Sequence, residues 1–209
     1  MTDILKIFAA VAVGYLLGSL NTSVIVGKII GKDVRDHGSK GAGLTNTLRV
    51  LGKTSAAFVL AGDILKGVVA CVIGYYIGVS YASGAATDSV SMLAAGVAAV
   101  VGHVWPVYFG FKGGRGALTA VTVLFMANWP MGLVCVALFV LIIALSRYVS
   151  LGTVCTVVFG SAISFAPIFR STFYFNIFAC LTSALILLRH TENIKRLLSG
   201  TENKLSFTK

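Results

Sequence analysis

Residues 116–146 read GALTAVTVLFMANWPMGLVCVALFVLIIALS, 31 positions without a charge. At about 1.5 Å per residue one helix of that length would be about 46 Å long, well beyond a hydrocarbon core of about 30 Å. Two full spans would need about 40 residues. Asn128-Trp129-Pro130 lies near the middle and reads as a turn with an interfacial aromatic. The stretch is therefore read as two short helices meeting at that turn, in a bilayer thinned locally to accept them.

This choice fixes the number of spans. Residues 4–30 read as the first. The run from Ile7 to Gly27 carries no charge, which makes it long enough to cross as an uncleaved helix rather than a signal peptide. The second span is expected from about residue 54 to 81, with Asp63 and Lys66 inside it, followed by a small polar turn at 82–88. The third covers about 90–104, with Pro106 just beyond its end. Arg147 and Arg170 bracket the sixth, and Arg170 and Arg189 the seventh. The expected fold is an all-α integral membrane protein with seven transmembrane helices, one domain over residues 1–209.

Composition agrees. The chain is 57% hydrophobic and 11% charged, with mean hydropathy +0.92, against about 25% charged in soluble domains. The net charge of +10 does not point to nucleic acid, because the basic residues sit in short loops between spans. Anionic headgroups and anionic substrates fit that distribution. Seven spans place 14 of the 17 Lys and Arg on one side. By the positive-inside rule that side is cytoplasmic, with the N-terminus outside and the C-terminus cytoplasmic. Cys71, Cys135, Cys155 and Cys180 lie in apolar stretches without a CxxC or a histidine pair. They read as small buried hydrophobes, and no metal site is expected.

Three polar segments interrupt the hydrocarbon. Gly110-Phe111-Lys112-Gly113-Gly114-Arg115-Gly116 is a four-glycine, two-cation loop. Its backbone N–H groups can close around an anion, with Lys112 and Arg115 supplying charge. The segment from Gly38 to Arg49 combines Gly38, Gly41 and Gly43 with the donors Ser39, Thr45 and Asn46, and Arg49 offers a bidentate fork for phosphate. In the C-terminal segment His190, Asn193 and Arg196 recur at intervals of three, on one helix face. Glu202 is placed to brace these cations. Asp63 and Lys66, also three apart, read as a mutual ion pair organising the site. His103 at the end of a span reads as a structural cap. There is no GK[ST] ending for ATP hydrolysis.

With these residues in view the chain resembles the bacterial glycerol-3-phosphate acyltransferase family that uses acyl phosphate (PlsY-type). The likeness runs through Gly18-Ser19, Gly38-Ser39 with Gly43, Thr45-Asn46 and Arg49, and Asp63 with Lys66-Gly67. It continues through Gly102-His103, Pro106 and Gly110 to Gly116, then Arg147-Tyr148 with Ser150, and Arg189-His190 with Asn193-Ile194, Arg196-Leu197-Leu198, Gly200 and Glu202. The resemblance implies seven helices and transfer of a fatty acyl group from acyl phosphate to the 1-hydroxyl of glycerol 3-phosphate in a bacterial cytoplasmic membrane. The products would be lysophosphatidic acid and phosphate, with no cofactor. Ser39, Asn46, Arg49, Arg115, His190 and Asn193 are then the expected catalytic set. Gly38, Gly41, Gly43, Thr45, Lys112, Gly113, Gly114, Gly116 and Arg196 are the expected phosphate cradle, with Asp63, Lys66, His103 and Glu202 in support. Asn46 and Asn193 are expected to donate to the oxyanion, and either His190 or a substrate phosphate to take the hydroxyl proton. Two positions depart from the family pattern: Gly41 stands where the family usually has Asn, and Arg115 where it usually has Lys. The alternatives are a catalytically altered paralogue or a small transporter for an organic phosphate.

Overall fold

The computed structural model describes residues 3–78, 90–169 and 171–205. The expected end of the second span at 79–81, the turn at 82–88 and Arg170 lie outside the described residues. The chain divides into two compact units, Met1–Ala127 and Asn128–Lys209.

The first unit holds α1 (Asp3–Gly18), α2 (Thr22–Ile30), α3 (Leu44–Gly78), α4 (Val90–Val104) and α5 (Ala117–Ala127). The expected first helix is therefore broken at residues 19–21. Asn21, fully buried, is the reason: its side-chain oxygen accepts from Val24 N–H at 3.1 Å and caps α2. Its amide also donates to Ala42 O at 3.3 Å, which ties the loop after α2 to the break. The second correction concerns the segment ahead of the expected second span, which is itself helical, so that α3 begins at Leu44. Gly43 O accepts from both the backbone and the hydroxyl of Thr47, and that hydroxyl meets Ser23 Oγ at 2.6 Å. Gly52 then leaves helical geometry (φ 83°, ψ −175°), so a kink separates this first piece from the long span. Thr45, Asn46 and Arg49 consequently stand on a helix and not in a loop.

α1 packs on α4 through glycines spaced four apart. A Cβ on Gly14 would strike Ala95 O, and one on Gly18 would strike Ala99 O; from the other side, one on Gly102 would strike Tyr15 O. Small residues at this spacing let two helix backbones touch, the form of contact that holds helices together where lipid is as apolar as the side chains.

The second unit holds α6 (Trp129–Ser146), α7 (Val149–Ile163), α8 (Phe173–Arg189) and α9 (Thr191–Leu198). The 31-residue apolar stretch does divide at Asn128, whose side chain caps α6 by accepting from Met131 N–H, with Pro130 in the first turn. α8 and α9 meet at a bend of 61°. Cys71 and Cys135 are buried as expected, whereas Cys180 is exposed.

This is an all-α integral membrane protein. Among the described residues four stretches are long and apolar enough to cross a bilayer: Ile4–Ile30, Leu44–Gly78, Val90–Phe109 and Trp129–Ser146. The bent pair α8 and α9 makes a fifth if counted as one span, while α5 and α7 are shorter apolar helices.

Candidate active site

The glycine loop is folded back on the end of α4. Gly113 N–H donates to Val104 O at 3.2 Å and Gly114 N–H to His103 O at 3.0 Å. A Cβ at Gly114 would collide with His103 Nε2 and Ala42 O, so only glycine fits there. Gly116 has φ +82° and faces Val100 and Val104, which sets the entry into α5. Lys112 is exposed and Arg115 half-buried.

The first polar segment closes on Asn46, which is 3% exposed. Its Oδ1 accepts from Ser39 N–H at 2.9 Å, while Nδ2 donates to Val34 O at 2.8 Å and His37 O at 3.1 Å. Both amide protons are thus committed to backbone carbonyls. The expected role of Asn46 as an oxyanion donor does not fit this geometry; it shapes the loop that carries Ser39. Arg49 is exposed, and its Cδ passes 3.5 Å from where a Cβ on Gly38 would sit. Ser39, Gly41, Gly43 and Thr45 are half-buried.

Beneath these loops lies an ionic cluster. Lys66 Nζ meets Asp63 Oδ1 at 2.8 Å, His103 Nδ1 at 2.8 Å and Leu20 O at 3.2 Å. Thr22 Oγ1 donates to Asp63 at 3.3 Å. Asp63, Lys66 and His103 are all buried. His103 thus joins an internal network and lends its carbonyl to the glycine loop.

The second unit has a cluster of its own. Glu202 accepts from Arg196 Nε at 2.7 Å, Asn193 Nδ2 at 2.8 Å and Ser150 Oγ at 3.0 Å. Burial pushes the Glu202 carboxyl up, but these three donors outweigh it and hold the group below the usual carboxylate range. The tail returns to the start of α7, with Leu205 N–H on Arg147 O at 2.8 Å and Lys204 over the Tyr148 ring. His190, 3% exposed, turns Nδ1 to Ile186 O at 2.8 Å. A carbonyl only accepts, so Nδ1 carries a proton and Nε2 is the basic nitrogen of the neutral ring.

A sequence profile of the glycerol-3-phosphate acyltransferase family matches residues 8–200. Glycerol-3-phosphate acyltransferase from Thermoanaerobacter pseudethanolicus is 40% identical over 194 residues, covering 92% of each chain. The enzyme of that name from Clostridioides difficile is 39% identical over 211 residues, covering 97% of each. The chain belongs to the glycerol-3-phosphate acyltransferase family. Among solved structures, PlsY (YgiH), an integral membrane glycerol 3-phosphate acyltransferase in its glycerol 3-phosphate form, superposes with a TM-score of 0.86 at 34% identity over 96% of both chains. The lysophosphatidic acid form of PlsY superposes with a TM-score of 0.84.

Within this family member the structure gathers the expected residues into two groups, each inside one unit. The first contains Gly38, Ser39, Asn46 and Arg49, the glycine loop, and Asp63, Lys66 and His103 below it. The second contains Asn193, Arg196 and Glu202 with Ser150, and His190 stands three residues before Asn193 with its Nδ1 on Ile186 O. Two contributors escaped the sequence reading. Ser150 was quoted for resemblance alone, without a role. Arg35 reaches across to Phe109 O and Lys112 O, and nothing in an ordinary Asp-Val-Arg-Asp run announces that contact.

Proposed function

We propose that this protein transfers a fatty acyl group from an acyl phosphate to the sn-1 hydroxyl of glycerol 3-phosphate, giving lysophosphatidic acid and inorganic phosphate. The observation that carries the reading is the glycine loop, pinned to α4 and bearing Lys112 and Arg115, in a chain of this family. An acyl phosphate is already activated, so positioning and charge stabilisation are what the protein must supply. Arg49, Lys112 and Arg115 hold phosphate oxygens; the Gly113 and Gly114 amides, expected as a cradle, are committed to Val104 O and His103 O, so the loop's part is to place its cations. Arg196 is oriented by Glu202 through Nε, which leaves its terminal nitrogens outside that bond. Asn193 supplies an amide donor for the developing oxyanion. The acceptor hydroxyl oxygen bonds to the acyl carbon as its proton passes to His190 Nε2, and the carbon–phosphate oxygen bond breaks to release phosphate.

The membrane arrangement belongs to the same proposal. Seven spans run through α1 with α2, then α3, α4, α5, α6, α7 and α8, with the N-terminus outside. The polar motifs face the cytoplasm of a bacterial inner membrane, as the bias of 14 among 17 basic residues supports. Labelling of an engineered cysteine beside Arg147 from outside only would refute this topology.

The decisive experiment is phosphate release from a long-chain acyl phosphate by the purified protein. Release that requires glycerol 3-phosphate and accompanies lysophosphatidic acid is expected. Absence of both phosphate release and lysophosphatidic acid would overturn the reading.

A further inference from the structure

We propose that Arg35 is a positioning residue for phosphate binding: its guanidinium fastens the backbone of Phe109 and Lys112 to the first loop and so sets where the Lys112 ammonium stands. This rests on the reading above, in which Lys112 is a phosphate ligand. Arg35 Nη1 donates to Phe109 O at 3.1 Å and to Lys112 O at 3.3 Å. The same guanidinium is held from behind by Asp33, through Nε at 3.0 and 3.1 Å and Nη2 at 2.7 Å. Asp33 Oδ1 also accepts Arg35 N–H at 2.9 Å, which fixes the start of the side chain as well as its end.

The turn that Arg35 grips needs such a hold. Gly110 and Phe111 are successive left-handed residues, with φ 64° and 59°, and Phe111 is not a residue that adopts this conformation cheaply. Lys28 Nζ lies 5.2 Å from the centre of the Phe109 ring and steadies the same turn from its side-chain face. Behind Arg35 the chain is equally fixed, because Val34 O accepts from buried Asn46 on α3. An unbroken path of bonds therefore leads from α3 through Asn46 and the 34–35 peptide to the carbonyl of Lys112.

The charge of Arg35 is already matched by Asp33. The Arg35 hydrogen bond holds the Asp33 carboxyl below its usual range, and Asp33 in turn raises Arg35, so both stay ionised. A guanidinium spent in this way is not itself a phosphate ligand. Nor would a lysine replace it, since a point-like ammonium lacks the planar fork that bonds a carboxylate on one edge and two carbonyls on another.

The test is a double-mutant cycle on the full-length protein. Arg35→Lys should lower kcat/KM for glycerol 3-phosphate by at least about tenfold with Tm unchanged, and Asp33→Asn should lower it less. Arg35→Lys combined with Lys112→Ala should be no worse than Lys112→Ala alone, because both changes remove the same placed charge. Multiplicative losses, wild-type activity in Arg35→Lys, or no effect of Lys112→Ala would each overturn the proposal. Stabilisation by inorganic phosphate in a thermal shift provides a readout independent of turnover. Wild-type protein that is stabilised by phosphate yet transfers no acyl group would refute the acyltransferase reading, while a reduced shift in Arg35→Lys would still support the clamp. An equal shift in wild type and Arg35→Lys would refute the clamp.

Discussion

Lys66 Nζ lies 2.8 Å from His103 Nδ1, and both side chains are buried. An ammonium only donates, so Nδ1 must present its lone pair and the ring proton sits on Nε2, the nitrogen against Gly114. Lys66 has three N–H groups and three acceptors: His103, Asp63 and Leu20 O. Nothing is left over for a substrate. The Lys66 ammonium is spent within the cluster, where it ties Asp63, His103 and the Leu20 carbonyl together.

Breaking this pair from one side is therefore expected to be costly. Lys66→Met strands a buried Asp63 carboxylate with Thr22 Oγ1 at 3.3 Å as its remaining described donor, a loss of about 3–5 kcal/mol. Replacing both partners by apolar residues (Asp63→Leu with Lys66→Met) should recover much of it. Thermal unfolding in detergent reads both, and a double mutant less stable than Lys66→Met would contradict the argument.

Arg49→Ala and Arg115→Ala should each reduce turnover tenfold or more while the protein still inserts and purifies. A charge-assisted contact is worth roughly 1.5–3 kcal/mol. Arg115→Lys, which restores the residue usual in the family, should keep most of the activity. Near-wild-type rates in either alanine variant would show that its cation serves only the membrane interface.

Gly41 is free to accept a side chain. It does not hold a left-handed φ, and the nearest atom to a Cβ there is Ser39 Oγ at 4.0 Å. Gly41→Asn should restore a donor and raise kcat, since an oxyanion-type donor can contribute about 2.7–4 kcal/mol. Adding Arg115→Lys should leave the variant at least as active. A folded Gly41→Asn protein with unchanged or lower kcat would count against a missing donor.

Glu202 predicts a pH signature. Its carboxyl titrates below the usual range when folded, despite burial, because Arg196, Asn193 and Ser150 favour the ionised form. Its stabilising contribution is complete above the unfolded pKa of about 4.3 and is lost as pH falls through the lower folded value. Glu202→Gln should lower Tm at pH 7, and the gap to wild type should close on acidification. A gap that stays constant from pH 7 to 3 would mean the charge is irrelevant.

What could be read in advance was what local chemistry writes into the chain. Asn128 and Pro130 announced the start of α6 because a cap and a fixed φ act within one turn. The glycines and cations of residues 110–116 marked a loop between spans in the same way, and the structure folds that loop back on the end of α4. The break at Asn21 stayed hidden in an uncharged run, since its cause is a long-range bond to Ala42 O. The early start of α3 was masked by glycines that resemble a loop. Asn46 was assigned to the oxyanion because its type fits, yet its amide protons are used on Val34 and His37. Arg35 was passed over because its partners are main-chain carbonyls more than seventy positions away.

The glycine contact between α1 and α4 also bears on how the protein is made. Gly14 and Ala95 are 81 positions apart, so the first helix enters the bilayer long before its partner leaves the ribosome. At roughly 5–20 residues per second the interval is about 4–16 s. During that time α1 must wait in lipid with its bare stripe uncovered. A helix can do so because its backbone groups are bonded to one another and glycine leaves no polar side chain exposed. The stripe is thus compatible with solitude as well as with contact. Larger side chains at Gly14 or Gly18 would spare the newborn helix and injure only the late docking of α4, so such variants should accumulate as inserted but unpaired chains.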